Sequence, residues 1–357
     1  MDPVKIYIFP ADTTGCGYYR LIWPARELQR QGHDVVIVTS QERDQMLQAK
    51  LDGDHVVQVR IPQDADVIVF QRVTHRYLVQ AIPIIRNAGT AVVVDMDDDL
   101  TCIHPANPAF HALHPSGPNA VHSWQNTLLA CDAASLVTVS TDALATRYGA
   151  KTPVHILRNC VPERYLKIEH TDSNVIGWAG SVHSHPTDLQ VMGPSMAQLL
   201  QLGCQFRVAG PLAGVHTALG VSTRYTIDTT DVIRDINAWP LAVNTIGIGV
   251  APLADSKFNA AKSWLKPLEY AAVGVPCVMS PRAEYSRLAR LGVGLLAKNS
   301  HEWRKYVHSL VKSADRRTES ALAGRDAAAK LTIERNAWRW LDAWTRAVTL
   351  ERETSGT

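Results

Sequence analysis

Phe258-Asn-Ala-Ala-Lys-Ser-Trp-Leu-Lys-Pro-Leu-Glu-Tyr-Ala-Ala-Val-Gly-Val-Pro276 is the stretch on which the reading of this chain turns. It follows the apolar run 247–251, so it lies beyond the carboxyl end of a buried strand, where open α/β sheets bind ligands. Pro267 is tolerated only in a first helical turn, which predicts a helix starting near Ser263 with that serine as N-cap. Gly274 and Pro276 close the helix. Its start leaves backbone N–H groups beside the ammonium groups of Lys262 and Lys266, an arrangement suited to an anion. Glu269, further along, can accept hydrogen bonds from ribose hydroxyls. The plainer reading is a solvated lysine pair on an ordinary helix.

Outward from that stretch, short apolar runs alternate with helical periods. Runs 6–9, 35–38, 67–70, 91–94 and 136–139 form one strand series, and 175–178, 205–209, 224–227, 247–251 and 276–279 form a second. Helices are expected from Asp188, Asp231 and Ser263 between strands of the second series. Strand–helix alternation predicts parallel sheets with helices on both faces. At 357 residues the chain exceeds what one core usually covers. The expectation is an α/β protein of two doubly wound, Rossmann-like domains, residues 1–165 and 172–332. Helices close the chain, the last over 333–350, and that helix either packs on its own domain or crosses back to the first. Residues 351–357 are expected to be loose.

Bulk properties exclude several classes. Hydrophobic residues make up 46% and charged residues 20%, with a net charge of +2, which gives no support for wholesale nucleic-acid binding. The six cysteines at 16, 102, 131, 160, 204 and 277 lack the paired spacing of a zinc cage or disulfide framework. No leader pattern and no apolar run near the roughly 18 residues of a bilayer span is visible. A cytoplasmic protein without stable membrane insertion is expected.

Three more segments carry candidate chemistry. In Gly177-Trp-Ala-Gly-Ser-Val-His-Ser-His-Pro-Thr-Asp188, Gly180 and Ser181 allow backbone to approach a phosphate. His183 and His185 could donate to a diphosphate or touch a sugar, or be ordinary loop histidines; no third ligand suggests a metal. In Thr13-Thr-Gly-Cys-Gly-Tyr-Tyr-Arg20, Gly15 and Gly17 make an incomplete Gly-rich fingerprint, and Arg20 falls in a first helical turn suited to a phosphate or carboxylate. Tyr19 sits in the same turn. In Val94-Asp-Met-Asp-Asp-Asp-Leu100, Asp95, Asp97, Asp98 and Asp99 are costly to bury together. Sugar or acceptor contact, structural pairing and metal binding all stay open for them. The His-rich loop 104–115 could add acceptor contacts.

Taken together, Gly15-x-Gly-Tyr-Tyr-Arg20, Val137-Thr-Val-Ser-Thr141, Leu157-Arg-Asn-Cys-Val161, Gly177-Trp-Ala-Gly-Ser181 and the 262–276 segment resemble the family-4-like group of GT-B glycosyltransferases, in that family's order. The resemblance implies two Rossmann-like domains facing across a cleft, a nucleotide-diphosphate sugar on the second and an acceptor on the first. It also implies retention of anomeric configuration, no catalytic metal and no cofactor beyond the donor. Lys262 and Lys266, with Gly180, Ser181, His183 and Ser263, are then expected at the donor's leaving group, and Glu269 at its ribose. Arg20 and Asp98 are expected to be catalytic together with Lys262 and Lys266, and Gly15, Gly17, Tyr19, Asp97 and Asp99 are expected on the acceptor side. The family usually carries a first glutamate seven residues before the ribose-contacting one, and here Ala261 stands there, so the sugar is not indicated. The acceptor could be a protein, glycan, lipid or modified nucleic acid. A nucleotide-sugar epimerase of the same fold and a non-catalytic two-lobed binding protein are the competing readings.

Overall fold

A computed structural model describes residues 4–118, 122–230 and 235–355. The chain divides into two compact units. Unit 1 comprises residues 1–103, 109–159 and 333–357, and unit 2 comprises 104–108 and 160–332.

Unit 1 is built on β1 (Ile6–Phe9), β2 (Val35–Ile37), an antiparallel hairpin of β3 (Gln48–Asp52) and β4 (His55–Arg60), then β5 (Val67–Gln71), β6 (Ala91–Met96), β7 (Leu136–Val139) and β8 (Val154–Ile156). All but the hairpin form one parallel sheet ordered β2-β1-β5-β6-β7-β8. Its central strands are mostly apolar and buried on both faces, with Gln71, Asp95 and Thr138 as their buried polar members, as helix-covered parallel sheets require. Strand order reverses between β1 and β5, where Ile6 pairs with Val35 on one side and Val67 on the other.

Unit 2 has a second parallel sheet from β9 (Ile176–Ala179), β10 (Phe206–Ala209), β11 (Asp228–Thr230), β12 (Ile248–Ala251), β13 (Cys277–Met279) and β14 (Leu295–Leu296), in the order β11-β10-β9-β12-β13-β14. Here the reversal lies between β9 and β12, joined at Ile176–Ile248 and Gly177–Gly249. Trp178, Phe206 and Trp303 anchor its core. Two parallel six-stranded sheets, each flanked by helices, realise the expected doubly wound α/β class.

Several local readings change. The third strand of unit 2 runs over Asp228–Thr230 rather than 224–227, because Arg224 and Tyr225 lie in a turn closed by Tyr225 N–H to Ser222 O, 3.1 Å. The helix expected from Asp231 starts outside the described residues. In place of a helix from Asp188 there is a short 3-10 turn, Leu189–Met192, interrupted at Gly193 before the helix Ser195–Gln201.

Of the residues expected to be loose, 356–357 lie outside the described residues and 351–355 continue a helix, Trp338–Ser355. It belongs to unit 1, where Trp340 Nε1 donates to the Arg20 carbonyl at 2.7 Å. Its far end is held by buried Glu351, which accepts from Arg86 Nε at 2.7 Å and from the Ser135 hydroxyl. A charge pair and a hydroxyl at the last turn keep those residues helical.

Candidate functional site

In unit 2 the residues singled out from sequence gather at the strand-order reversal. The helix Leu265–Ala272 begins one residue later than expected, with Trp264 rather than Ser263 as its N-cap, and Pro267 occupies its first turn. Tyr270 pins that helix to the sheet: its hydroxyl donates to Val250 O of β12 (3.2 Å) and accepts from Ala179 N–H of β9 (2.9 Å). One buried phenol therefore joins the two strands between which the sheet changes direction.

Lys266, one turn earlier, sends its ammonium to the Ala179 carbonyl and lies 4.8 Å from the centre of the Trp178 ring. Burial pushes this amine down to about 8, and Lys262 adds repulsion, while Glu269 and Asp188 oppose the shift. The amine thus sits where a proton is held loosely unless an anion arrives. Gly180 makes room for it: a Cβ there would meet Lys266 Nζ at 2.9 Å and the Trp178 ring at 3.0 Å. Gly180 N–H donates to Ala209 O at 3.0 Å, so this glycine contributes space rather than its N–H. Ser181 is half-buried beside it.

The two histidines separate. His183 is exposed. His185 is half-buried, edge-on to Trp178 at 6.1 Å, and bonded through Nδ1 to Asp188 at 2.9 Å. Asp188 also accepts from Ala254 N (2.9 Å) and Asn259 Nδ2 (2.6 Å), tying the loop after β9 to the loop after β12. Burial, the largest effect, lowers the His185 imidazole, with Lys266 and Lys262 adding to it against Asp188.

Lys262 lies over the Phe258 ring at 4.3 Å, and Ser263 is half-buried next to it. Glu269 is buried and accepts from Trp239 Nε1 at 3.0 Å. Trp239, Tyr270 and Asn259 were not named as site residues from sequence, and Asp188 was named only as a helix start. The Trp239-Pro240 pair opening a helix was the available signal for the first.

In unit 1 the expected acceptor-side residues divide. Arg20, expected in contact with a ligand, is instead 1% exposed. Its guanidinium forms two bonds to Asp95 (2.7 and 3.1 Å), one to Asn159 Oδ1 (2.9 Å) and one to the Leu157 carbonyl. The chain's own carboxylate fills the expected anion position, a buried pair whose loss of either partner would strand a charge. Tyr19 is also in the core, edge-on to Trp23 at 4.7 Å. Gly17 is required, since a Cβ would meet Asp12 O at 1.8 Å, whereas Gly15 has open space around it.

The acidic run is largely self-contained. Asp97 takes two bonds from Arg72, 2.5 and 2.6 Å. Burial alone would raise this carboxyl, but the Arg72 guanidinium overrides that and holds it at about 2. Asp98 is 3.7 Å from the same guanidinium, and Asp99 caps the Leu100–Cys102 turn by accepting from Thr101 N and Oγ1 (3.0 and 2.6 Å). Among the described residues no group of three or more His, Cys, Asp or Glu side chains is arranged to hold a metal ion. Arg72 itself has φ +52°, a conformation costing a non-glycine residue roughly 1–3 kcal/mol. Asp97 and the Arg72 N–H bond to Asp95 O (3.0 Å) hold it there.

Solved structures match the chain almost end to end. A glycosyltransferase from Rickettsia africae ESF-5 superposes with a TM-score of 0.64 over 98% of this chain and 99% of its own, at 11% identity. AviGT4, a glycosyltransferase of avilamycin A biosynthesis, gives 0.59 over 97% and 98%, at 14% identity. HepE from Anabaena, in complex with UDP, gives 0.57 over 99% of each chain, at 14% identity. The fold is that of the GT-B glycosyltransferases. At these identities the likeness is one of fold. No protein-family model matches the sequence, and no curated protein is similar to it in sequence. Within this GT-B chain the unit 2 cluster is the better-built site: a half-buried lysine, a fitted glycine and a positioned glutamate converge at one sheet reversal. Among the described residues no helix is long and apolar enough to cross a membrane.

Proposed function

We propose that the protein is a glycosyltransferase that takes its sugar from a nucleoside-diphosphate donor bound by unit 2 and passes it to an acceptor hydroxyl with retention and without a catalytic metal. The observation that carries this reading is the enclosed Lys266 ammonium at the carboxyl ends of β9 and β12, with no room for a side chain at Gly180. A diphosphate is the kind of group such a place accommodates, since open α/β sheets take ligands at the strand reversal. HepE, a neighbour of the same fold, binds UDP.

Lys266 and Lys262 stabilise the departing diphosphate, a charge that develops as the bond from the anomeric carbon to its oxygen breaks. Glu269, aimed by Trp239, accepts from the ribose hydroxyls. The acceptor oxygen bonds to the anomeric carbon on the face that the diphosphate leaves, and its proton passes to a phosphate oxygen. Arg20 has no part in this scheme, because its guanidinium is committed to Asp95.

A panel of nucleotide-sugars, screened for thermal stabilisation and slow donor hydrolysis, tests the reading. A true donor should raise the melting temperature in a concentration-dependent way. Lys262→Ala should then lower turnover with that donor, and wild-type turnover in the variant would remove Lys262 from the leaving-group site. Isomerisation of a donor incubated alone would favour an epimerase instead.

A further inference from the structure

We propose that unit 1 carries a built subsite for an oxyanion, a carboxylate or phosphate borne by the acceptor next to an apolar or ring-containing portion. This rests on the glycosyltransferase reading, whose acceptor it narrows to an anionic alcohol. The site is a cavity of about 300 Å³ at the ends of β1 and β5, the strands between which the unit 1 sheet reverses. That size is at the lower edge of small-molecule pockets, and the position is where such sheets receive ligands.

Its walls have two characters. Phe9 and Phe70, whose ring centres lie 5.1 Å apart, form an apolar side with Leu78. The other side carries Gln71, Arg72 and Arg43, and no carboxylate lines the cavity. Arg72 is neutralised by Asp97. Arg43 donates through one guanidinium nitrogen to the Pro10 carbonyl at 2.6 Å, and its Nε, buried, has no partner. Gln71 is 4% exposed. Its oxygen accepts from Ala11 N–H at 3.0 Å, which fixes the orientation of the amide, and its Nε2 is likewise buried without a partner.

Buried donors without acceptors are uncommon because each forfeits its hydration. Two of them from different elements in one cavity wall, one on a cation without a carboxylate partner, call for an occupant that brings oxygen lone pairs and negative charge. The strained Arg72 backbone lies between Gln71 and Val73 in the same wall, and strain of this kind gathers at ligand clamps. A neutral sugar acceptor would leave the Arg43 charge unanswered.

Calorimetric titration of the full chain with phenyl phosphate, 3-phenylpropionate and the neutral 3-phenylpropan-1-ol at millimolar concentration tests this, with UDP-induced thermal stabilisation followed in parallel. Both anions should bind at least tenfold more tightly than the alcohol. Arg43→Gln should weaken the anions about tenfold, by removing one charge-assisted contact. Gln71→Glu keeps the oxygen that Ala11 needs, replaces the donor by a negative charge and should abolish anion binding. Both variants should keep the UDP response of unit 2. Equal binding of alcohol and anions, unchanged affinity in both variants, or no anion binding by a chain that still responds to UDP would overturn the subsite. Anion binding without a UDP response would leave the subsite standing and remove the donor reading, and absence of both would remove both.

Discussion

Lys266 links the proposed donor site to pH in a way that can be worked through. Its amine is depressed from 10.5 to about 8, first by burial. The folded chain therefore holds this proton less well than the unfolded chain does, and between about pH 8 and pH 10.5 the unfolded state binds more protons. Through that window the lysine's contribution to stability rises with pH. Donor affinity runs the other way. A diphosphate needs the ammonium, whose protonated fraction drops from about nine-tenths at pH 7 to about one-tenth at pH 9. The dissociation constant for UDP should rise close to tenfold over that range, about 1.4 kcal/mol. Because binding that needs the ammonium raises the amine's pKa in the complex, the decline begins near the free value of about 8 and continues up to that raised value. Calorimetric titration with UDP from pH 7 to 9.5 avoids the nucleotide's own terminal-phosphate titration near about pH 6. Lys266→Met, nearly isosteric, should bind weakly at every pH and show no slope. A flat wild-type profile, or a Met variant with the wild-type slope, would refute the role given to this ammonium.

Other perturbations separate the two units. Gly180→Ala places a methyl 2.9 Å from Lys266 Nζ, and UDP affinity should fall at least several-fold while circular dichroism shows a folded chain. Arg20→Met strands Asp95 in the core of unit 1 and should cost roughly 3–5 kcal/mol in denaturant unfolding, with UDP-binding stoichiometry of the folded fraction unchanged. Asp97 is held below the ordinary carboxylate value by Arg72, so its contribution to stability is present above about pH 4 and lost as pH falls towards 2. Acid unfolding followed by fluorescence should therefore lose part of its pH dependence in Asp97→Asn.

Much of the fold was legible because the strands are unbroken apolar runs. The runs at Ile6–Phe9 and Leu136–Val139 form strands with the bounds read from sequence. What escaped notice was short or exposed. The β3–β4 hairpin alternates weakly and leaves most of its residues exposed, although Asp52-Gly53, with Gly53 at φ +57°, is a recognisable turn signal. At the candidate site, the placement of Lys262, Lys266 and Glu269 around one helix start was readable from helix punctuation by Pro267. Their supports were not, because Tyr270 and Trp239 look like ordinary core residues until their polar tips are seen to meet Ala179 and Glu269. Arg20 shows the converse. Its place in a first turn suggested a ligand, but a partner 75 residues away supplied the anion, and long-range pairing of that kind leaves no local pattern.

Because residues 333–357 return to unit 1, the chain enters and leaves unit 2 side by side, where Val161 N–H donates to Leu331 O at 3.1 Å and Val161 bridges Thr332. All of unit 2 apart from residues 104–108 is therefore a single uninterrupted insert with adjoining ends. Such an arrangement is a natural cassette: the insert can be cut out as one gene fragment or circularly permuted without stretching its backbone. Unit 1 does not share that freedom. A stop codon after Thr332 would leave unit 2 whole and take from unit 1 the buried Trp340 and Trp344, so damage from C-terminal truncation falls on the half of the molecule encoded first.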